Sequence, residues 1–236
     1  MSEGISLNKY IAERGYCSRR KADELLRAGR VMLNGQVARP GNRVMPGDEV
    51  LIDGQSIAEE PPPVYILLNK PAGITVTADP RIEDNVIDFI GYPERIFPVG
   101  RLDKPSEGLL LLTNDGDLSN QLIHARNLHE KEYLVTLSRP YDRLFLDRMG
   151  SGVPILDTVT RPCQVEGVDE RRFKIILTQG LNRQIRRMCE TLGYYVRRLE
   201  RIRFLNLTGE DLDRGEWRKL TGEELKGLRH LAKNSR

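Results

Sequence analysis

A run of four leucines at residues 109–112 constrains the fold more than any other stretch of this chain. It follows a polar loop with a glycine at each end, residues 100–108, and it precedes the turn signal Asn114-Asp115-Gly116. A short apolar run bounded by turns is typical of a strand buried on both faces, although periodicity alone leaves a helix open. The loop then lies at the mouth of a core strand, where a rigid scaffold presents side chains. Asp103 is its candidate functional residue, and the alternative is an aspartate that bonds only its own backbone in a turn.

A run of three prolines, Pro61-Pro62-Pro63, is the clearest boundary in the sequence. Consecutive prolines favour a stiff, extended segment and continue neither a helix nor an inner strand. We therefore predict a small N-terminal domain over residues 1–60, a linker over residues 61–63 and a larger domain over residues 64–236.

The composition restricts where the protein acts. The longest purely aliphatic run has four residues, whereas a helix that spans a bilayer needs roughly 20 apolar residues. The N-terminus has no apolar segment behind a basic patch, as a secretory signal would. The three cysteines have no Cys-x-x-Cys spacing, which is typical of reduced thiols. We expect a cytoplasmic protein with no membrane association, no disulfide and no metal site.

Positive charge is concentrated in two segments. Residues 7–31 contain seven Lys or Arg against three Asp or Glu, and residues 181–203 contain seven Arg against two Glu. Because the net charge of the whole chain is only +3, the remainder of the chain is acidic. Two basic patches on an acidic body indicate a polyanionic partner that binds at defined places.

The first basic segment has the pattern of two short helices followed by hairpins. An i, i+3, i+4 pattern of apolar residues begins at Leu7, and Ser18 is a suitable N-cap for a second helix. The first turn of this second helix carries three cations, Arg19, Arg20 and Lys21. Cations are unfavourable at the positive end of a helix dipole. Their position favours phosphate binding over a merely solvated charged face.

Strand and helix patterns alternate irregularly after the linker. The predicted strands cover residues 64–68, 109–112, 131–137, 165–167, 173–177, 194–196 and 202–205. The predicted helices cover residues 86–90, 141–149, 183–192 and 222–233, and a further one is capped by Asp117. Because a regular strand–helix–strand rhythm is absent, the predicted fold class is α+β, with a mixed, largely antiparallel sheet flanked by helices.

The predicted helix over residues 183–192 carries the second basic patch. At about 100° per residue, one apolar stripe is formed by Ile185, Met188, Cys189 and Leu192. Arg183 and Arg187 fall on the opposite face. Arg186 falls at the border of the stripe, where its side chain can reach into a cleft instead of solvent.

The sequence lacks the motifs of several kinds of chemistry. It contains neither Gly-x-x-x-x-Gly-Lys-Ser/Thr nor Gly-x-Gly-x-x-Gly, so nucleotide and nicotinamide chemistry have no phosphate-binding loop. No His/Cys cluster has the spacing of a zinc site. We expect no cofactor. The remaining candidates are Asp103, Arg186 and Tyr133, although a lone strand tyrosine is equally well explained as an aromatic that fills a sheet face.

Four short segments near the N-terminus form a known pattern. They are Leu-Asn-Lys-Tyr-Ile at residues 7–11, Gly-Tyr-Cys-Ser-Arg-Arg-Lys-Ala at residues 15–22, Gly-Arg-Val at residues 29–31 and the Asn34-Gly35 turn. This pattern resembles an S4 domain, a small module that binds structured RNA with its two helices. The resemblance implies RNA contacts by Lys9 and by Arg19, Arg20 and Lys21.

Four motifs of the larger domain occur in a characteristic order. They are Asn69-Lys70-Pro71-Ala72-Gly73, Gly100-Arg101-Leu102-Asp103 with residues 106–116, Lys131-Glu132-Tyr133, and Gly-Leu-Asn-Arg-Gln-Ile-Arg-Arg-Met at residues 180–188. Together they resemble the signature of the pseudouridine synthases. With the S4-like module in front, the chain resembles the RsuA/RluF type of ribosomal RNA synthase from end to end. Its later motifs look closest to the branch that acts on 23S rRNA.

The resemblance implies that a uridine in RNA is isomerised: the N1–C1′ bond breaks, the uracil turns, and C5 bonds to C1′. Asp103 corresponds to the essential carboxylate, which attacks C1′ or assists formation of a glycal. Arg186 corresponds to the arginine that pairs with this aspartate and keeps it ionised in a water-poor pocket. Tyr133 corresponds to the residue that stacks on the target base, and a second role in taking the C5 proton stays open.

The resemblance also implies a wider substrate-binding set. Leu177 corresponds to an apolar wall of the base pocket, and Arg101 helps to extrude the uridine from its stack. The other predicted substrate-binding residues are Asn69, Lys70, Arg183 and Arg187.

Other readings of the same residues are kept open. The same reaction could take place on 16S rRNA or tRNA. A non-catalytic S4-type RNA-binding or ribosome-assembly factor would need only the basic patches. An RNA glycosidase would use Asp103 with Asp115 or Glu107 as paired carboxylates. In each case we expect a monomer whose partner is structured RNA.

Overall fold

The computed structural model of the protein describes residues 4–123 and 129–233. Two compact units are present. The first is formed by the described part of Met1–Val64 with Tyr92–Arg95 and Asn114–Gly116, and the second by Tyr65–Gly91, Ile96–Thr113 and the described part of Asp117–Arg236. The two short later stretches that group with the first unit were not predicted, because nothing in their local sequence indicates a long-range partner.

The first unit contains two short helices and six short strands among its described residues. The helices are α1 (Leu7–Glu13) and α2 (Arg19–Arg27). The strands are β1 (Ile5–Ser6), β2 (Val31–Leu33), β3 (Gln36–Val37), β4 (Arg43–Val44), β5 (Val50–Ile52) and β6 (Gln55–Ser56). One sheet has the order β3-β2-β5-β6, and β1 pairs separately with β4.

Local sequence signals determine the helices and turns of this unit as predicted. The Ser18 hydroxyl accepts a hydrogen bond from the Lys21 backbone N–H at 3.2 Å and so caps α2. Leu7 and Ile11 are buried on α1, as the apolar spacing required. Asn34 and Gly35 both have positive φ, the geometry of the tight hairpin that joins β2 to β3.

The second unit contains the remaining elements of the described residues. Its helices are α3 (Val86–Ile90), α4 (Gly116–Ile123), α5 (Arg143–Ser151), α6 (Gln184–Thr191) and α7 (Gly222–Lys233). Its longer strands are β7 (Tyr65–Lys70), β9 (Glu107–Thr113), β10 (Lys131–Leu137), β13 (Gln164–Gly167), β14 (Arg172–Leu177), β15 (Val196–Phe204) and β17 (Trp217–Lys219). Its short strands are β8 (Phe97–Pro98), β11 (Pro154–Ile155), β12 (Thr158–Val159) and β16 (Leu207–Thr208).

A single mixed sheet forms the centre of the second unit. Its main order is β13-β14-β10-β15-β9-β7-β17, with β8 and β16 added to β9 and β15. Among the strands of the described residues only β9 and β15 pair in parallel, so the predicted largely antiparallel α+β sheet is confirmed. Within the described ranges, every helix is too short or too polar to cross a lipid bilayer.

The four leucines lie in β9, as the sequence predicted. All seven residues of this strand are buried. Leu109 and Leu111 pack with residues of α4 and α7, including Leu118 and Leu228. Leu110 and Leu112, on the other face, are 0% exposed. Burial on both faces explains why the run shows no alternation.

Two details of the predicted secondary structure are wrong. The segments 194–196 and 202–205 were predicted as separate strands, yet Val196–Phe204 is one nine-residue strand. Its charged residues concealed the pattern, because Arg198 and Arg203 find distant carboxylates at Glu107 and Glu132. Asp117 was predicted to cap a helix, but α4 already begins at Gly116.

The parallel contact between β9 and β15 depends on a glycine. Gly108 pairs with Arg201 and has a φ of +99°. A Cβ on Gly108 would lie 2.6 Å from the Arg201 backbone nitrogen, a distance that real Cβ atoms do not show. The two backbones therefore approach this closely only because residue 108 has no side chain.

Gly108→Ala should destabilise the protein strongly, because alanine adds both the steric clash and the strain of positive φ. We expect the free energy of unfolding in urea to fall by about 3 kcal/mol or more. Gly222→Ala is the matched control, since its Cβ would meet nothing within 4 Å. Equal stability of the two variants would contradict the close approach.

Candidate active site

Asp103 lies in the loop directly before β9, with its side chain 33% exposed. The turn around it is closed by its main-chain carbonyl, which accepts a hydrogen bond from the Ser106 N–H at 2.9 Å. Within the described residues, its carboxylate makes no hydrogen bond to the backbone of its own turn. The turn therefore leaves the carboxylate available for another partner.

That partner is Arg186 on α6. The Arg186 Nε lies 3.9 Å from Asp103 Oδ2, an ion-pair distance that is too long for a hydrogen bond. The guanidinium is 7% exposed. Its Nη1 donates to the Val196 carbonyl at 3.3 Å and its Nη2 donates to the Ser106 hydroxyl at 3.2 Å. A loop residue and the start of β15 thus fix the cation beside the carboxylate.

The electrostatics of this pair suit a reactive carboxylate. Burial lowers the pKa of Arg186, and the neighbouring Arg183 lowers it further, whereas Asp103 raises it. The guanidinium stays charged, because even a lowered arginine pKa is far above neutrality. Its Nε is buried and has no hydrogen-bond partner within the described residues. The cation therefore attracts the carboxylate without binding its oxygens tightly, which leaves them free to approach a substrate atom.

The side chain of Lys70 is buried, whereas its sequence motif indicated a residue at the substrate-binding surface. It was grouped with the substrate-binding residues, but its side chain is 0% exposed. Its ammonium donates to the carbonyls of Pro71 at 2.8 Å, Ile74 at 2.9 Å and Lys104 at 3.4 Å. The Gly73 N–H also donates to the Lys104 carbonyl. Lys70 thus joins the chain after β7 to the residue that follows Asp103, and it is a positioning residue instead of an RNA contact.

Asn69 is also engaged by the scaffold. Its side-chain amide donates to the Leu212 carbonyl at 2.8 Å. Successive strand residues point to opposite faces, so Asn69 lies on the face away from Lys70. There it lines a pocket of about 330 Å³ with several charged residues, including Glu132, Lys174 and Arg203.

Tyr133 and Leu177 share one face of the sheet. Tyr133 pairs with Ile175 of β14 and with Arg201 of β15, and Lys131 pairs with Leu177. Residues directly opposite in a ladder lie on the same face, as do alternate residues of one strand. Tyr133 and Leu177 therefore lie on one continuous stretch of this face. Tyr133 is half-buried and packs against the hydrophobic cluster that includes Leu177 and residues of α5 and α6.

The remaining predicted cations of this unit are more exposed than Arg186. Arg101 is exposed, and Arg183 precedes α6 in a left-handed conformation with a φ of +49°. Arg187 is held by Asn182, whose side-chain and main-chain oxygens both accept from it at 3.1 Å. Within the described residues, none of these three makes an ion pair with Asp103.

Two residues that hold the site together, Ser106 and Glu107, were not predicted in that role. Ser106 binds the Arg186 guanidinium. The 9% exposed Glu107 forms ion pairs with Arg198 at 2.7 Å and with Arg214 at 3.4 Å. A charged residue next to four leucines was a visible signal for Glu107. Its partners, however, lie about 90 or more residues further along the chain.

The first unit presents cations on α2. Arg19 and Arg20 are exposed. Lys21 forms an ion pair with Glu24 at 2.8 Å, and Lys9 forms one with Glu13 at 3.4 Å. The free positive charge of this surface is therefore concentrated at Arg19 and Arg20. In the part of the chain that the structure describes, no group of three His, Cys, Asp or Glu side chains could hold a metal ion.

Comparisons with known proteins match two parts of this chain. Residues 64–191 match the family model described as RNA pseudouridylate synthase, and residues 6–50 match the S4 domain. The dual-specificity RNA pseudouridine synthase RluF of Escherichia coli (strain K12) is 51% identical over 98% of this chain and 80% of its own length. The ribosomal large subunit pseudouridine synthase B of Bacillus subtilis (strain 168) is 38% identical over 96% of each chain. A crystal structure of a pseudouridylate synthase superposes with a TM-score of 0.70 at 29% identity, covering 95% of this chain and 99% of the other.

Lys70→Met should change how stability depends on pH. Burial lowers the pKa of Lys70 from 10.5 to about 8, against the raising effect of Glu107 and Asp103. Because the folded-state pKa lies below the unfolded value, the unfolded chain binds more protons between these pH values, and stability rises with pH. Wild type should therefore gain more stability in urea unfolding between about pH 8 and pH 10 than the variant.

Lys131, whose pKa is also lowered to about 8, contributes with the same sign in both proteins and cancels in the comparison. Lys174→Met is the control for the substitution itself, because it removes a lysine whose side chain is 43% exposed. Identical pH profiles for wild type and Lys70→Met would show that Lys70 does not carry a buried charge.

Proposed function

The chain belongs to the RNA pseudouridylate synthase family and carries an S4 domain, and we propose that it modifies 23S rRNA with Asp103 as its essential carboxylate. It is an RNA pseudouridine synthase, which isomerises uridine to pseudouridine within an RNA chain. The observation that carries the assignment of Asp103 is the buried Arg186 guanidinium 3.9 Å from its carboxylate, at the mouth of the core strand.

The proposed reaction needs an ionised carboxylate at the ribose. Asp103 attacks C1′ or assists formation of a glycal, and in both routes the N1–C1′ bond breaks. Arg186 places its positive charge beside the carboxylate while the substrate excludes water. The uracil then turns, C5 bonds to C1′, the C5 proton leaves and N1 takes up a proton. The product has the same atoms as the substrate, so no redox partner or group donor takes part.

The target base must leave its stack to reach Asp103. Enzymes that act on a base in structured nucleic acid extrude the nucleotide into a pocket and read it there. We assign stacking on the extruded uracil to Tyr133 and an apolar wall to Leu177, because the two lie on one sheet face as diagonal neighbours. Arg101 is exposed and lies in the same loop as Asp103. We therefore assign it a role in extruding the uridine.

The choice of 23S rRNA is supported by the relatives. The Bacillus subtilis relative is named for the ribosomal large subunit, and the Escherichia coli relative is named for a dual specificity. A second RNA, such as a tRNA, is therefore the alternative substrate. We propose that residues 1–60 hold the RNA and residues 64–236 perform the chemistry. Action as a monomer in the cytoplasm stays a prediction.

The other readings of the sequence fit the geometry less well. Arg186 is buried beside the partly exposed Asp103 carboxylate, and its Nε has no hydrogen-bond partner within the described residues. A protein that only binds RNA would not need this costly arrangement. A glycosidase would need a second carboxyl group as proton donor. Glu107, one candidate for that role, is held in ion pairs by Arg198 and Arg214.

Asp103→Asn should abolish the reaction while RNA binding is retained. The amide neither attacks C1′ nor accepts a proton, so tritium release from C5-labelled uridine in rRNA should fall by about 10⁴-fold or more. Asp84→Asn is the matched control. It removes the same charge from an exposed residue 3.6 Å from Lys104, and it should retain nearly full activity. Full activity of Asp103→Asn would remove Asp103 from the mechanism.

Removing the cations at the start of α2 should weaken RNA binding through its salt dependence. In the triple variant Arg19→Ala, Arg20→Ala, Lys21→Ala, the slope of log K against log salt should become shallower by about 0.7–0.9 for each lost phosphate contact. The turnover number at saturating RNA should stay near that of wild type, because the catalytic residues are untouched.

A second triple variant provides the control for charge alone. Arg143, Arg148 and Lys226 are exposed cations on α5 and α7, and their replacement by alanine removes the same charge. This variant should keep the wild-type slope. Equal slopes for the two triple variants would show that α2 does not bind RNA.

A further inference from the structure

Lys131 occupies the corner of the sheet face that carries the proposed base pocket. It lies two residues before Tyr133 on β10, on the same face, and it pairs directly with Leu177 on β14. If Tyr133 covers one side of the extruded uracil and Leu177 forms a wall, the base presents an edge to Lys131. This reasoning rests on the proposed function of Tyr133 and Leu177.

A second cation, Arg201, lies next to this part of the sheet face. Arg201 pairs with Tyr133 across the ladder to β15, so the two lie on one face. Arg201 is 2% exposed, and its Nε donates to the Leu109 carbonyl at 2.6 Å. Its Nη2 is also buried, yet it has no hydrogen-bond partner within the described residues. One N–H donor group of the buried Arg201 guanidinium thus has no acceptor, among the residues that the structure describes, beside the proposed pocket.

Lys131 also has unused donors. Its ammonium carries three N–H groups, and among the described residues its one hydrogen bond goes to the His129 carbonyl at 3.3 Å. Burial and the nearby Arg201 lower the pKa of Lys131 to about 8, so it is mainly protonated at neutral pH. Within the described part of the chain, neither cation forms an ion pair. The adjacent carboxylates, Glu130 and Glu132, are engaged by Arg203 instead.

Such an arrangement is unfavourable in the free protein. Two like charges are placed together where water is scarce, and buried donors without acceptors lose their hydration without compensation. This arrangement does not stabilise the folded state. An oxygen acceptor that enters with the substrate would accept a hydrogen bond from Lys131 and lie close to the charge of Arg201, and the uracil base carries two such carbonyl oxygens.

We propose that Lys131 donates a hydrogen bond to a carbonyl oxygen of the target uracil, with Arg201 as a second positive charge behind it. When the N1–C1′ bond breaks, its electron pair stays with the uracil ring and spreads onto these oxygens. The two cations stabilise that negative charge while the ring turns. The charge is neutralised again when C5 bonds to C1′, the C5 proton leaves and N1 gains a proton.

Because the charge develops only as the bond breaks, Lys131 acts on turnover more than on binding. Lys131→Met should lower kcat by about 10- to 100-fold, the effect of one charge-assisted hydrogen bond, with a much smaller change in KM. Lys131→Arg should recover part of the loss. The fold should persist, since the substitution removes a partly buried cation that is repelled by Arg201. Lys174→Met, on the opposite face of the neighbouring strand, should have nearly wild-type kcat.

The decisive measurement replaces the oxygens of the target base. RNA substrates carrying 2-thiouridine or 4-thiouridine at the modified position present sulfur, a weak acceptor, in place of one oxygen. Wild type should convert one of the two about 10-fold or more slowly than uridine, and Lys131→Met should lose that discrimination. A purely structural role of Lys131 would not make its effect depend on a single oxygen.

The contrary outcomes separate this inference from the proposed function. If wild type discriminates against neither analogue, or if Lys131→Met keeps its kcat or the same discrimination, Lys131 does not contact the base. In those cases Asp103→Asn should still be inactive and wild type should still release tritium from C5. Absence of that release from wild type would instead overturn the proposed function.

Discussion

The close approach of two backbones at Gly108 and Arg201 determines the geometry of the whole candidate site. It fixes the parallel pairing of β9 with β15. The loop before β9 carries Asp103, and the first residue of β15 supplies the carbonyl that holds Arg186. Arg201 itself pairs with Tyr133. The carboxylate, its partner cation and Tyr133 are thus positioned by one contact that only glycine allows.

Three buried cations lie in or beside the part of the fold that carries Asp103 and β9. Lys70, Arg186 and Arg201 are each at most 7% exposed, and each is anchored by at least one backbone carbonyl. Carbonyl dipoles keep these charges in place, but they do not neutralise them. A positive interior is costly to the fold, and at the site proposed for a negatively charged nucleotide it is what an electrostatically preorganised site requires.

Local patterns revealed most of the elements and the chemistry-bearing residues. The unbroken leucine run identified β9, and the apolar stripe of α6 placed Arg186 at a border, from which it reaches Asp103. Contacts between distant residues were not accessible in this way. Lys70 was expected to touch RNA, because its motif does not show that three carbonyls, one of them 34 residues away, enclose its ammonium. The continuity of β15 was hidden for the same reason, since the carboxylates that pair with its arginines lie far away in the sequence.

The bonds of Lys70 and Gly73 to the Lys104 carbonyl have an evolutionary consequence. They bring the two ends of the segment between Ile74 and Asp103 to the same point. Insertions or deletions in the exposed turn around Pro80 would change the outline of the molecule without shifting the carboxylate. Related enzymes could in this way acquire new RNA targets by remodelling a peripheral excursion of the chain, while the reaction centre is inherited unchanged.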